Sequence, residues 1–218
     1  MEKRILEEEL EDLQNNVLRM GALVEKALYD ATRALLEGHA DLAQRVIAAD
    51  DSIDSLNTEV QEQCVRLLAL RQPMAGDLRT IKTDLQIAMD LERMGDYSES
   101  IAKAALRLHG EKTVRKLHYM PQMVELVREM AHNFITSYDL ADIELARRAA
   151  TLEDAVDKLY KESFQSLTGI IREDPGTAAT AIQLLLAGVY LERIADHATN
   201  IGESVIYMVT GLRSNLNV

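Results

Sequence analysis

Leu91-Glu92-Arg93-Met94-Gly95-Asp96 and Leu191-Glu192-Arg193-Ile194-Ala195-Asp196 are two versions of one hexapeptide in one chain. The agreement extends outward from both copies. Leu42-Ala43-Gln44-Arg45 returns as Leu145-Ala146-Arg147-Arg148, and Asp50-Asp51-Ser52-Ile53-Asp54 returns as Glu153-Asp154-Ala155-Val156-Asp157. Pro73 and Pro175 mark corresponding bends, and every match falls in the same order in both halves. Ordered self-similarity of this kind is the mark of a duplicated unit. The division expected is 1–110 and 111–218.

Each copy is helical by composition. Leu, Ala, Glu, Arg and Met dominate, whereas glycine (10), proline (3) and aromatic residues (4%) are scarce. The favoured residues lose little rotamer freedom in a helix, and the residues that fill a pleated sheet are few. Helix breaks follow from the punctuation. The prolines at 73, 121 and 175 fit helix starts, where a missing N–H costs nothing. Gly38 and Gly110 follow apolar-periodic runs, as helix C-terminal glycines do. Six long helices are predicted: Ile5–Leu36, Asp41–Leu70, Met74–Leu108, Pro121–Tyr138, Ile143–Arg172 and Gly176–Gly211. A charged connector, Gly110 to Lys116, joins the third to the fourth. No strong breaker stands near Tyr138, so the fourth and fifth can be divided in more than one way. Ile87, Leu91, Met94, Ile101 and Leu108 make one apolar stripe; Leu191, Ile194, Ala198, Ile201, Val205 and Met208 make another. Stripes at this spacing pack long antiparallel helices at shallow angles. The predicted fold is all-α, a tandem pair of antiparallel three-helix bundles.

A net charge of −12 opposes nucleic acid and anionic membrane surfaces as partners. The longest apolar run, Ala178 to Leu191, ends at Glu192 and is shorter than the roughly 20 residues of a spanning helix. No secretion signal opens the chain, so a cytoplasmic protein without membrane insertion is expected. Cys64 is a lone cysteine in register with Val60 and Leu67, which places it in the core.

The repeated element with chemical content is acid-x-x-x-Asp, twice in each half: Asp50 with Asp54, Glu92 with Asp96, Glu153 with Asp157, and Glu192 with Asp196. Residues four apart share a helix face, and like charges there repel unless something neutralises them. Glu92 and Glu99 continue the seven-residue spacing of Leu78 and Leu85, and Glu192 continues that through Leu185. Carboxylates thus occupy places where packing residues would be natural. Four converging, partly buried carboxylates must protonate, recruit arginine or bind a cation. Ordinary solvated faces also carry acid pairs; recurrence at equivalent positions is what favours a site. Oxygen-only donors suit hard cations such as Mg²⁺, Mn²⁺ or iron over Zn²⁺ or Cu. Arg93 and Arg193 are placed as outer partners. None of the histidines 39, 109, 118, 132 and 197 is expected to be a ligand; the counterpart of His197 is Tyr97. The chain has no Walker loop, Gly-x-Ser-x-Gly, Cys-x-x-Cys or His-Glu-x-x-His, so no familiar catalytic route has residues to carry it.

The duplicated bundle, the acid pairs, the Leu-Glu-Arg-x-x-Asp signatures, Leu10-Glu11-Asp12-Leu13 through Met20-Gly21, and Ala69-Leu70-Arg71-Gln72-Pro73 together resemble the PhoU family over nearly the whole chain. The resemblance implies a cytoplasmic, non-enzymatic negative regulator of phosphate uptake and phosphate-starvation signalling. It implies contact with the ATPase subunit of the phosphate ABC transporter and with the phosphate-sensing histidine kinase. It further implies homodimers, and metal ions on the faces bearing Asp50, Asp54, Glu92, Asp96, Glu153, Asp157, Glu192 and Asp196. The alternatives are a ferritin-like carboxylate-bridged di-metal oxidase or iron-binding protein, and a metal-free helical scaffold. The first needs a Glu-x-x-His on two helices. Gly95 and Ala195 stand where those histidines would be.

Overall fold

The computed structural model describes residues 2–110 and 119–216. The connector beyond Gly110 and His118 lie outside the described residues. The elements are α1 (Glu2–Glu37), α2 (Ala40–Arg71), α3 (Ala75–Arg107), α4 (Tyr119–Leu140), α5 (Ile143–Ala150), α6 (Glu153–Glu173), a 3-10 turn (Pro175–Thr177) and α7 (Ala178–Thr210). Helices α1, α2 and α3 form the first repeat; α4, α5 with α6, and α7 form the second. The stripes predicted from spacing are buried: Ile87, Leu91, Met94 and Ile101 on α3, and Leu191, Ile194, Ala198, Ile201 and Val205 on α7. Cys64 lies fully buried with Val60 and Leu67, and burial pushes its thiol up to about 12.

The repeats meet chiefly along α3 and α7, with α1 against α4 beside them. The seam is antiparallel. Lys82, near the start of α3, lies 4.7 Å from the Tyr207 ring centre near the end of α7. At the opposite end Arg107 donates to Gln183 at 3.2 Å. One continuous apolar cluster runs through both repeats. Over an 18-residue window the stretch Pro175–Thr210 reaches a mean hydropathy of 1.3, long and apolar enough by composition to cross a membrane. That exceeds the run read from the sequence. Its buried apolar residues, among them Ala181, Leu184, Leu191 and Ile194, belong to the core between α7 and its neighbours α3, α4, α5 and α6, whereas Ile182 and Val209 are exposed.

The fifth predicted helix is two helices. Thr151 and Leu152 interrupt it, their N–H groups bonding three residues back to Arg148 (3.2 Å) and Ala149 (3.1 Å). The Thr151 hydroxyl donates to the Arg148 carbonyl at 2.7 Å, competing with the helical ladder. The first repeat has Ala48-Ala49 at the corresponding place, and α2 runs through unbroken. The open boundary near Tyr138 resolves at Ala141, which adopts φ 50°. Asp142 then donates to the Ser137 carbonyl at 2.9 Å and caps α5 by accepting from Leu145 at 3.0 Å. Its counterpart Gly38 makes the same kind of helix end at φ 78°. Glycine fits that conformation freely, whereas alanine is strained in it.

Candidate functional site

Helices α2 and α3 approach closely because Gly95 faces Ile53. A Cβ on Gly95 would lie 3.1 Å from Ile53 Cδ1 and 3.7 Å from an Asp50 carboxylate oxygen. The stripe of Ile53, Leu56, Leu91 and Met94 is buried there. One position away, the acids are left at the rim of the helix pair. Asp54, Glu92 and Asp96 each present a carboxylate oxygen, and these oxygens lie within 4.8 Å of one another. Asp50 borders the group; burial, then the charges of Glu99, Asp54 and Asp96, push its carboxyl up to about 6. Burial and Asp96 likewise raise Glu92. Arg93 reaches back over the pair from solvent, 3.4 Å from Glu92 and 2.9 Å from Asp96. It is 58% exposed, so it screens the rim without entering the cluster. Glu99, half-buried and paired with Lys103, extends the face by one turn. Its seven-residue spacing from Glu92 was the signal for it; Lys103 had none.

The second repeat makes the same face less tightly. Ala195 replaces Gly95 and Val156 replaces Ile53, so one methyl group moves across the contact while both sites remain buried. Burial raises Glu153 to about 7, with Asp196 and Asp157 adding to the rise and a 3.2 Å hydrogen bond from the Thr199 hydroxyl opposing it. Burial and Asp196 raise Glu192, and burial with Asp157 raises Asp196. Arg193 lies 3.7 Å from Glu192 and 3.6 Å from Asp196. Among the described residues, three carboxylate oxygens within 4.8 Å of one another occur on the first face alone.

The donor set fits a hard cation. It is all oxygen, it is anionic, and its desolvated members hold their protons more tightly than free carboxyls, a cost that a bound cation would relieve. Residues Asp54, Glu92 and Asp96, with Asp50 beside them, would hold it on the first face; Glu153, Asp157, Glu192 and Asp196 would do so on the second. The described histidines are engaged elsewhere. His132 meets Glu25 at 2.9 Å, His39 meets Glu37 at 2.9 Å, and His109 lies 3.2 Å from the Gly38 carbonyl. His197 turns Nδ1 to buried Asp90 at 2.9 Å, where Asn200 and Gln86 also donate. That knot joins α3 to α7. At the symmetry-related place Tyr97 stacks on Tyr190, ring centres 6.0 Å apart. A second buried contact between the repeats has Tyr138 donating to Asp84 at 2.6 Å; burial raises that carboxyl to about 7.

A duplicated all-α bundle with a carboxylate face on each copy, and no recognisable catalytic constellation among its described residues, defines a class of helical tandem-repeat protein. The comparisons narrow that class. The PhoU domain model matches residues 17–105 and again 120–205. The phosphate-specific transport system accessory protein PhoU homolog of Clostridium acetobutylicum is 38% identical over 218 residues, all of both chains. That of Pseudomonas aeruginosa is 38% identical over 204 residues, 93% of this chain and 84% of that one. The crystal structure of PhoU from P. aeruginosa superposes with a TM-score of 0.91 at 37% identity, covering 94% of this chain and 99% of that one. The phosphate transport system regulatory protein PhoU of Streptococcus pneumoniae gives 0.90 at 28% identity, covering 96% and 99%. The chain belongs to the PhoU family.

Proposed function

We propose that this protein is a non-catalytic, cytoplasmic negative regulator of phosphate uptake and phosphate-starvation signalling. It acts by stoichiometric binding to the ATPase subunit of the phosphate ABC transporter and to the phosphate-sensing histidine kinase, as a homodimer in which each chain carries the units 1–110 and 111–218. The supporting observation is the full-length match to accessory proteins of the phosphate-specific transport system, with both acidic faces present. On this reading Asp50, Asp54, Glu92 and Asp96 hold hard cations (iron, Mn²⁺ or Mg²⁺) on the first face, and Glu153, Asp157, Glu192 and Asp196 on the second. A cation held there would supply charge neutralisation to carboxylates drawn from α2 and α3 and from α6 and α7. The close approach of α2 and α3 brings the first face's carboxylates together, and Arg93 and Arg193 screen the outer rims.

The test is capture of transporter ATPase and kinase under high and low phosphate, with wild type and with a Glu92→Ala, Asp96→Ala, Glu192→Ala, Asp196→Ala variant. Capture of both partners supports the regulatory reading. Loss of capture with loss of metal ties the faces to it; unchanged capture by the variant removes that role. The ferritin-like alternative predicts oxygen consumption with ferrous iron. Gly95 and Ala195, in place of the required histidines, argue against it.

A further inference from the structure

Beyond Thr210 the chain reverses and returns along α7 to the second acidic face. Gly211 makes the reversal at φ 73°, its N–H bonding to the Tyr207 carbonyl at 2.8 Å. The Leu212 N–H is then held by the Thr210 hydroxyl at 3.0 Å. At the far end the Leu216 N–H donates to the Glu203 carboxylate at 2.8 Å. The Leu216 side chain packs on the core beside Gly202, where an added Cβ would lie 3.3 Å from Leu216 Cδ1.

The landing place is the second acidic face. Positions 192, 196, 199 and 203 follow one another at helical spacing on one side of α7. The first two carry the acid pair, Thr199 holds Glu153, and Glu203 takes the returning chain. An open cleft of about 690 Å³ lies there. Glu153 and Asp157 line it, Arg147 and Thr151 border it, and Asn215 and Leu216 contribute to its wall. In the first repeat the corresponding α3 positions carry Glu99 and Lys103, which pair with each other, so no acceptor stands where Glu203 does.

We infer that residues 211–216 form a latch on the second acidic face, with Glu203 its catch and Leu216 its anchor, so that access to Glu153 depends on a segment with no counterpart among the described residues of the first repeat. The inference rests on the cation reading of these faces only for its consequence, not for its geometry. The described attachment at the far end is one charge-assisted hydrogen bond and one partly buried leucine. Few attachments allow a segment to open locally while the helix beneath stays folded. With the latch closed, a cation or partner group reaches Glu153 past Asn215 and Leu216.

The deciding experiment compares the full chain with a chain deleted for 212–218 and with a milder Leu216→Ser variant. Water-soluble carbodiimide labels exposed carboxylates, and peptide mapping reads each site without metal. Labelling of Glu153 should rise several-fold in both variants, while Asp157, already half exposed, and Asp50 and Asp54 stay unchanged. Equal labelling of Glu153 in all chains overturns the latch. Mn²⁺ dissociation is then measured with Asp54, Glu92 and Asp96 replaced by Ala. It should be about tenfold faster without the latch, and an unchanged rate also counts against it. Failure of the full chain to bind Mn²⁺ would sink the cation reading, while the labelling result still decides the latch.

Discussion

Where the first repeat carries Glu99 and Lys103 the second carries Thr199 and Glu203, and the two acidic faces diverge from that point. Lys103 pairs with Glu99 and its charge opposes the rise at Asp50. On the second face Thr199 hydrogen-bonds Glu153, and Glu203 accepts the returning chain. One face is compensated from within by a cation, the other by a hydroxyl and a backbone N–H. The same lesson recurs at the seams. Asp84 and Tyr138 form a buried polar contact whose counterparts, Leu184 and Leu35, are buried and apolar. Duplication preserved the helices and the acid pairs; divergence changed the groups that hold helices and charges in place.

Substitutions that make one repeat more like the other test that comparison. The largest effect is expected at Gly202, the counterpart of Ala102. A Cβ at Gly202 would lie 2.3 Å from Phe134 Cε1, whereas the counterpart of Phe134 is the small Ala31. Gly202→Ala should therefore destabilise by up to about 3 kcal/mol, less the roughly 1 kcal/mol that alanine gains in a helix. Urea unfolding measures it, and a neutral result would mean that Phe134 moves aside freely.

Tyr138→Phe comes next. It removes the one hydrogen-bond partner of Asp84, whose other carboxylate oxygen is already buried without one. The expected loss is about 2 kcal/mol. Adding Asp84→Leu should cost less than the two single changes summed, because buried leucines, Leu184 and Leu35, stand at the two counterpart positions.

A smaller effect concerns pH. The folded carboxyls of Asp50 and Glu153 are raised, to about 6 and about 7. A raised acid favours the folded state while protonated, so its contribution is present below the unfolded value and lost as pH rises through the folded one. The Tm of metal-free protein should fall by a few degrees between about pH 4 and 7. Asp50→Asn with Glu153→Gln should flatten that limb, and an equal slope in wild type and variant would contradict the assignment. The smallest effect is expected at Ala141. Ala141→Gly makes that helix end like Gly38 and should stabilise by about 0.5–1 kcal/mol, read by thermal unfolding.

The helices, their duplication and the acid pairs were legible because each depends on local spacing. Periods of three and four residues bury a stripe, and acids four apart share a face whatever lies opposite. What escaped depends on partners distant in sequence. His197 reads only as the sequence neighbour of Asp196, with Tyr97 as its counterpart, until α3 brings Asp90 to it. Tyr138 reads as the end of a helix until Asp84 accepts its hydroxyl proton. The break at Thr151 escaped because a hydroxyl turning back to its own backbone leaves the apolar pattern intact. Leu216 lies beyond the last apolar stripe, and only a reversed chain makes it a core contact.

The central claim is that each repeat carries its own cation-holding face. The most direct measurement is equilibrium dialysis against Mn²⁺, with elemental analysis, of wild type and two variants. One has Asp50, Asp54, Glu92 and Asp96 changed to Ala; the other has Glu153, Asp157, Glu192 and Asp196 changed to Ala. Each variant should lose the ions of its own face and retain those of the other, with the first face, where three oxygens already converge, binding more tightly. Equal metal content in all three proteins would contradict the account.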